Sequence, residues 1–268
     1  MSRAERACFI EAVLRTAAAA VGLLRGREAS YTDVKGYLAD ADLVAHSEIV
    51  SRVGEAYPGE RVLSEEGDPL GMDARTSGGP LWIADPICGT TNFVRGMPFY
   101  SHSLCVVEEG EVLAAGVYAP AFDEMFLSDG ASTRLNGVEV QVSGVRSMSE
   151  AIISVNCNQA DCAEGDEKFL TLHGLFAPPL VRRQRIMESA NLELAFVACG
   201  RLDGYVNPED NVWDIASGIL LVAAAGGIAS PLEGSLIEPL RCRGVIAGNS
   251  NIAPALLKRI RSTRFAAC

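Results

Sequence analysis

The chain has 268 residues, is 49% hydrophobic and carries a net charge of −11. That composition describes a globular, soluble protein with ample material for a core, not a disordered one. It also argues against nucleic acid as a partner, because a phosphate backbone selects a basic surface. No apolar stretch reaches the ~18 residues needed to span a bilayer, and the run from Ile219 to Ala225 is ended by Gly226-Gly227.

Ser2 and Glu5 form a capping box for a first helix, in which Ile10, Val13, Leu14, Ala17, Val21 and Leu24 follow helical spacing up to Gly26. Glu5 and Glu11 interrupt its apolar pattern, so this segment reads as an amphipathic helix and not as a signal peptide. A second helix is expected from Asp40 to Tyr57, ended by Pro58-Gly59, with Leu43, Ile49, Val50 and Val53 as its buried face. Short strands follow at Arg61 to Ser64 and Leu81 to Asp85, separated by the loop GDPLGMDARTSGGP. From Ser101 to Val142 the pattern is one of hairpins, with turns at Glu109-Gly110, Asp129-Gly130 and Asn136-Gly137. Beyond residue 145 strands and helices alternate: a strand at Ala151 to Val155, helices at Ser189 to Cys199 and Trp213 to Ala225, a strand at Val245-Ile246 and a helix at Ile252 to Ile260. The change of texture predicts an α/β protein of two subdomains, 1–145 and 146–268, sharing a cleft.

The cysteines (Cys8, Cys88, Cys105, Cys157, Cys162, Cys199, Cys242 and Cys268) are scattered and have no CxxC zinc spacing. They are expected to be reduced thiols in a cytoplasmic protein, with Cys105 and Cys199 as small core residues. His46 and His102 have no evident metal partners and read as structural.

The chemistry concentrates around ADPICGTTNF, residues 84–93. Glu65 and Glu66 close the first short strand and Asp85 the second. If the strands are neighbours, these carboxylates meet at one edge of the sheet. Pro86 makes a turn, and Gly89, Thr90 and Thr91 start a short helix whose free N–H groups suit a phosphate. Hard cations such as Mg²⁺ take carboxylate, phosphate and water oxygens, and such ions orient phosphate and acidify water. Taken singly, each acid is more often a cap or a solvated charge than a metal ligand. Asp214, after Trp213, complements a helix dipole as readily as it binds a metal.

WIADPICGTTNFVRGMPFYSHSL resembles the first signature of the inositol monophosphatase family, whose usual core is DP-(I/L)-DGT-TNF, and NVWDIASGILLVAAAGG resembles its second. LSEEG, GVYAPAFDEMF, RLNG, LELAFVACGRLDGY and GVIAGN follow the family's order, so the resemblance covers almost the whole chain. It implies a sandwich of alternating α and β layers, Mg²⁺-dependent hydrolysis of a small phosphate monoester, and a homodimer. Carried over residue by residue, Glu65, Asp85 and the Ile87 carbonyl hold one metal. Asp85, Asp214 and Cys88 hold a second. Asp42 and Thr90, with help from Glu65, orient and deprotonate water. The N–H groups of Gly89 and Thr90 grip the phosphate. Lys35 resembles a family lysine near the phosphate.

Departures gather on the substrate side. Cys88 stands where the family has an aspartate, and a thiol with a reference pKa of ~8.5 is a soft, mostly protonated ligand near neutrality. It is read as weakening the second metal position, as a thiolate favouring Mn²⁺ or Zn²⁺, or as inert. A cysteine-phosphatase nucleophile requires C-x₅-R, and that position is Val94. Asn207 replaces a glutamate that contacts substrate hydroxyls, and Ala39 replaces a threonine. Glu188 replaces a glycine near the substrate and is expected to be buried, paired with Arg183 or Arg185 or facing a substrate amino group. The expected substrate is a sugar, cyclitol, nucleoside or amino-alcohol phosphate. The alternative is a divergent member with weak or lost hydrolysis that binds a phosphorylated ligand or catalyses another step, such as phosphate elimination.

Overall fold

A computed structural model describes residues 2–22, 24, 34–67, 78–157, 166–234 and 244–262, the side chains of 34–39 and 166–168 excepted. Most of the loop 67–80, the side chains of Lys35 and Ala39, and Cys162, Cys242 and Cys268 lie outside the described residues.

Two helices, α1 (Arg3–Gly22) and α2 (Val34–Ala56), precede a seven-stranded sheet of β1 (Arg61–Ser64), β2 (Leu81–Cys88), β3 (Ser101–Glu108), β4 (Glu111–Ala119), β5 (Glu124–Ser128), β6 (Thr133–Leu135) and β7 (Val138–Val140), in chain order. β1 and β2 run parallel, and every later neighbour is antiparallel. The hairpin turns fall where glycine pairs predict them: Glu109-Gly110 and Asn136-Gly137 both have positive φ at both residues, the conformation that matches strand twist. The short helix α3 (Thr90–Val94) interrupts the meander after β2. A five-stranded second sheet has the order β11 (Ile228–Ser230), β12 (Val245–Gly248), β10 (Gly204–Asn207), β8 (Ile152–Val155), β9 (Arg183–Arg185), with helices α4 (Asp166–Leu175), α5 (Ala190–Ala198) and α6 (Val212–Ala224) between the strands and α7 (Ile252–Arg261) after the last.

Side-chain alternation stacks these elements into five layers. In β2, Trp82 and Ala84 join Ile10, Leu14, Ile49 and Val53 of α1 and α2, while Leu81 and Ile83 join Val212 and Ala216 of α6. In the second sheet, Tyr205, Val245 and Ala247 face α5 and α6, while Val206 and Ile246 face Leu172 of α4 and Leu256 of α7. The order is therefore helices, sheet, helices, sheet, helices, as the resemblance implies. Because both sheets are covered on both faces, their central strands are apolar almost throughout.

The capping box at Ser2 and Glu5 forms, with the Ser2 N–H donating to Glu5 Oε2 at 2.7 Å. The face of α2 differs from expectation. Its buried stripe is Ala41, Ala45, Ile49 and Val53, each four residues apart, whereas Leu43 is 46% exposed and Val50 half-buried. Two residues from Ala41 is about 200° around a helix, so Leu43 points away once Ile49 and Val53 set the phase. Cys105 is fully buried as expected, but Cys199, at the C-cap of α5, is only half-buried.

Candidate active site

Parallel pairing of Ser64 with Ala84 brings the end of β1 beside the middle of β2, which runs on past Asp85 and Pro86 to Cys88, where the sequence suggests a turn. Glu65 therefore leaves its strand next to Asp85. The pairing of β2 with β3 shifts register between Asp85 and Cys88, and such a bulge re-aims side chains at a strand end. His102 on β3 fixes the bulge by binding the Pro86 carbonyl through Nδ1, in keeping with a structural role. His46 likewise bonds within the fold, Nδ1 to Ser64 Oγ at 2.8 Å. The third acid comes from the start of α6. The Asn211 N–H donates to Asp214 Oδ2 at 2.7 Å, so Asp214 caps its helix and also faces the strand ends.

One ligand oxygen from each of Glu65, Asp85 and Asp214 lies within 4.8 Å of the others. The electrostatics fit a cation at this position. Asp85 is 1% exposed, and burial, then Glu65 and Asp214, push its carboxyl well above the ordinary value. Its Oδ1 is buried with no hydrogen-bond partner. Much of Glu65 still meets solvent, but its carboxyl end is hemmed in; burial, then Asp214 and Glu66, push it up to about 7. Burial, then Glu66 and Glu65, push the buried Asp42 of α2 up to about 8. Burial also raises Asp214. Carboxylates crowded in this way are costly as charges unless a cation or proton joins them, and an all-oxygen set suits a hard cation.

Gly89 caps α3 with φ 93. A Cβ there would lie 2.9 Å from the Phe99 carbonyl, 3.0 Å from that of Glu188 and 3.1 Å from Ser189 Cβ, so this position accepts only glycine. Thr90 Oγ1 donates to the Ile87 carbonyl at 2.9 Å. Asn92 ties α3 to both flanks, donating to the carbonyls of Phe99 at 2.8 Å and Met187 at 2.6 Å.

Cys88 is 4% exposed and stands apart from the three-carboxylate cluster. Its Sγ receives the Asn191 N–H at 3.4 Å. Burial, then Asp85 and Asp214, push the thiol well above its ordinary value.

The substrate-side residues differ from expectation in one respect. Glu188 does lie beside the start of α3, through its backbone, but its side chain is exposed, and among the described residues no ion pair joins it to Arg183 or Arg185. Its φ of 57 turns the chain outward just before α5. Asn207 is 3% exposed and directs its amide to the buried Asp210, which also accepts from Tyr205.

Sequence reasoning passed over three polar residues of α5 and its N-cap. Ser189 Oγ donates to the Cys88 carbonyl at 2.9 Å. Glu193, fully buried, accepts from Ser154, Asn156 and the Ser189 N–H. Asn191, also fully buried, bonds to Ser103, Trp213 and Gly218. The signal for them was an asparagine and a glutamate inside the otherwise apolar run ANLELAFVA.

Comparison with known proteins places this geometry. The profile described as "Inositol monophosphatase family" matches residues 5–264. An inositol-1-monophosphatase of Rhizobium meliloti is 32% identical over 241 residues, covering 90% of this chain and 88% of that protein. A Nus factor SuhB of Pseudomonas aeruginosa is 35% identical over 235 residues, covering 85% and 84%. Among solved structures, an IMPase of Thermotoga maritima superposes with a TM-score of 0.79 at 31% identity, covering 96% of this chain and 97% of that one.

Proposed function

This chain belongs to the inositol monophosphatase family, and we propose that it is a metal-dependent phosphatase that hydrolyses a small sugar, cyclitol, nucleoside or amino-alcohol phosphate. The observation that carries this reading is the convergence of Glu65, Asp85 and Asp214 within 4.8 Å, beside a helix start that only glycine can form.

In this reading Glu65, Asp85 and Asp214, with the Ile87 carbonyl, hold Mg²⁺, with Mn²⁺ as a substitute. The bound cation supplies charge neutralisation of the phosphate and acidification of water. The N–H groups of Gly89 and Thr90 grip phosphate oxygens, since the first donors of a helix have no intrahelical acceptor. Thr90 has its hydroxyl hydrogen committed to Ile87, which leaves its lone pairs to accept a hydrogen bond from the attacking water and orient it. Asp42 and Glu65 lie within electrostatic reach of each other and receive the proton that the water gives up. Glu188 lies on the substrate side, whereas Asn207, buried and bonded at both ends of its amide to Asp210 and the Glu209 N–H, supports the fold there; the working form is a cytoplasmic homodimer.

Cys88 favours a second reading, in which hydrolysis is weak or lost and the chain binds a phosphorylated ligand or catalyses phosphate elimination. Its sulfur accepts the Asn191 N–H and lies outside the carboxylate cluster. Phosphate release from a panel of sugar, inositol and nucleoside phosphates decides between them, with Mg²⁺, Mn²⁺ or Zn²⁺ and with wild type beside Cys88→Asp. The expected result is turnover by wild type with Mg²⁺ or Mn²⁺ that the substitution does not improve. Turnover by Cys88→Asp alone would establish the second reading.

A further inference from the structure

Two of the acidic ligands come from elements that no strand pairing joins. Asp85 sits in β2, while Asp214 opens α6, which lies across the sheet face. Something other than backbone pairing must set the gap between them, and one buried side chain spans it.

Asn191, the second residue of α5, is 0% exposed. Its Nδ2 donates one hydrogen to Ser103 Oγ at 2.9 Å and the other to the Trp213 carbonyl at 2.8 Å. Its Oδ1 accepts from the Gly218 N–H at 3.1 Å, and its own N–H points at Cys88 Sγ at 3.4 Å. Each partner is adjacent to a ligand. Ser103 is the residue opposite Asp85 in the β2–β3 pairing. Trp213 directly precedes Asp214. Gly218 lies four residues after Asp214, so its N–H belongs to the turn of helix that Asp214 begins. A neutral amide is a compact group that offers two donors and an acceptor at once, and here all three are used. The close approach of the helices reinforces the arrangement: a Cβ on Gly218 would stand 2.4 Å from Leu194 Cβ.

We propose that Asn191 is a positioning residue that sets Asp214 at ligand distance from Asp85 by tying the start of α6 to β3. The proposal rests on the metal-site reading above. Mg²⁺ demands near-ideal octahedral geometry, and a functional constellation is held to about 0.5 Å by residues whose own rotamers are locked. A loosened α6 start therefore weakens the metal before it touches the chemistry of a loaded site.

The test is direct binding of Mn²⁺ alone, read from the loss of the free-ion electron paramagnetic resonance signal, with melting temperature followed in parallel. Asn191→Ala is expected to weaken Mn²⁺ binding about tenfold, in the range seen when outer partners of metal ligands are removed, while kcat at saturating metal stays near wild type. Ser103→Ala cuts only the strand end of the bridge and is expected to show a smaller loss in the same direction. Thr133→Val is the control. It removes the Thr133 bond to the Leu221 carbonyl at 2.7 Å, loosening the far end of α6, and should lower the melting temperature without changing Mn²⁺ affinity. Unchanged affinity in Asn191→Ala, or an equal loss in Thr133→Val, overturns the positioning role while leaving the metal site standing. Absence of Mn²⁺ binding by wild type overturns both. If Asn191→Ala does not fold, Ser103→Ala decides: weaker binding supports the bridge, and wild-type binding refutes it.

Discussion

Glu188 shows how one residue can alter a site without entering it. Its backbone carbonyl packs against Gly89 at the phosphate helix, and its positive φ turns its side chain into solvent. This puts an exposed acidic side chain beside the helix start that is proposed to receive an anion. For scale, two like unit charges ~8 Å apart at an effective dielectric constant of ~40–80 repel by roughly 0.5–1 kcal/mol. Glu188→Gln is therefore expected to tighten inorganic phosphate binding about two- to five-fold, with the gain shrinking as salt rises and screens the charge. Phosphate inhibition constants at low and high ionic strength would show it, and equal constants for the two proteins would remove Glu188 from the electrostatics of the site. The sequence marks Glu188 as unusual but suggests burial, with an arginine partner or a substrate amino group facing it. Burial follows from tertiary direction, which a positive φ just before a helix sets and which no local pattern encodes. Asp85 and Glu65 are legible, because each follows a short apolar run and the parallel register of Ser64 with Ala84 sets the two side by side.

Two helix glycines, alike in sequence, have opposite consequences. Gly54 lies on the exposed side of α2 with nothing within 4 Å of a Cβ added there, whereas a Cβ on Gly218 in α6 meets Leu194 Cβ at 2.4 Å. Gly54→Ala is expected to stabilise by about 0.5–1 kcal/mol, the helix-propensity gain alone. Gly218→Ala is expected to destabilise by about 1–3 kcal/mol, because the contact is with a Cβ that cannot rotate away and the helices must part. Urea unfolding of both variants checks the pair, and a stabilised Gly218→Ala would mean that α5 and α6 are not in close contact. This difference is invisible in the sequence, as is the phase of α2, where small Ala41 and Ala45 outrank the larger Leu43. What can be read are elements with a strong local signature: the capped α1, the paired-glycine turns of the meander, and α6 ending at a double glycine. The short strands β9, β10 and β11 carry too few residues for a period and exist only because neighbouring strands pair with them.

On the scale of the molecule, the five layers converge on a point of concentrated negative charge in a chain already at −11. Folding raises the proton affinity of Asp42 to about 8 and of Glu65 to about 7, and raises Asp85 and Asp214 as well. The folded chain thus holds protons that the unfolded chain releases near pH 4. This contribution to stability is fully present below about pH 4 and is lost as pH rises through about 7 and 8. Glu193 and Asp210, raised mainly by burial, act in the same direction, while half-buried His173, lowered by burial, acts in the opposite one. None of these three belongs to the cation cluster, so the difference in melting temperature with and without metal isolates the cluster itself. Metal that binds only the folded state stabilises by mass action, and it must displace fewer protons as pH rises. The chelated protein is therefore expected to melt at progressively lower temperature from about pH 5 to pH 8, and saturating Mg²⁺ should raise the melting temperature more at pH 8 than at pH 5. A Mg²⁺-induced rise that is the same at both pH values would mean that the carboxylates do not share a cation. Asp85→Asn supplies the converse, since it removes the most buried charge of the cluster. Without metal it should melt higher than wild type at pH 8 and close to wild type at pH 5, and it should lose most of its response to Mg²⁺.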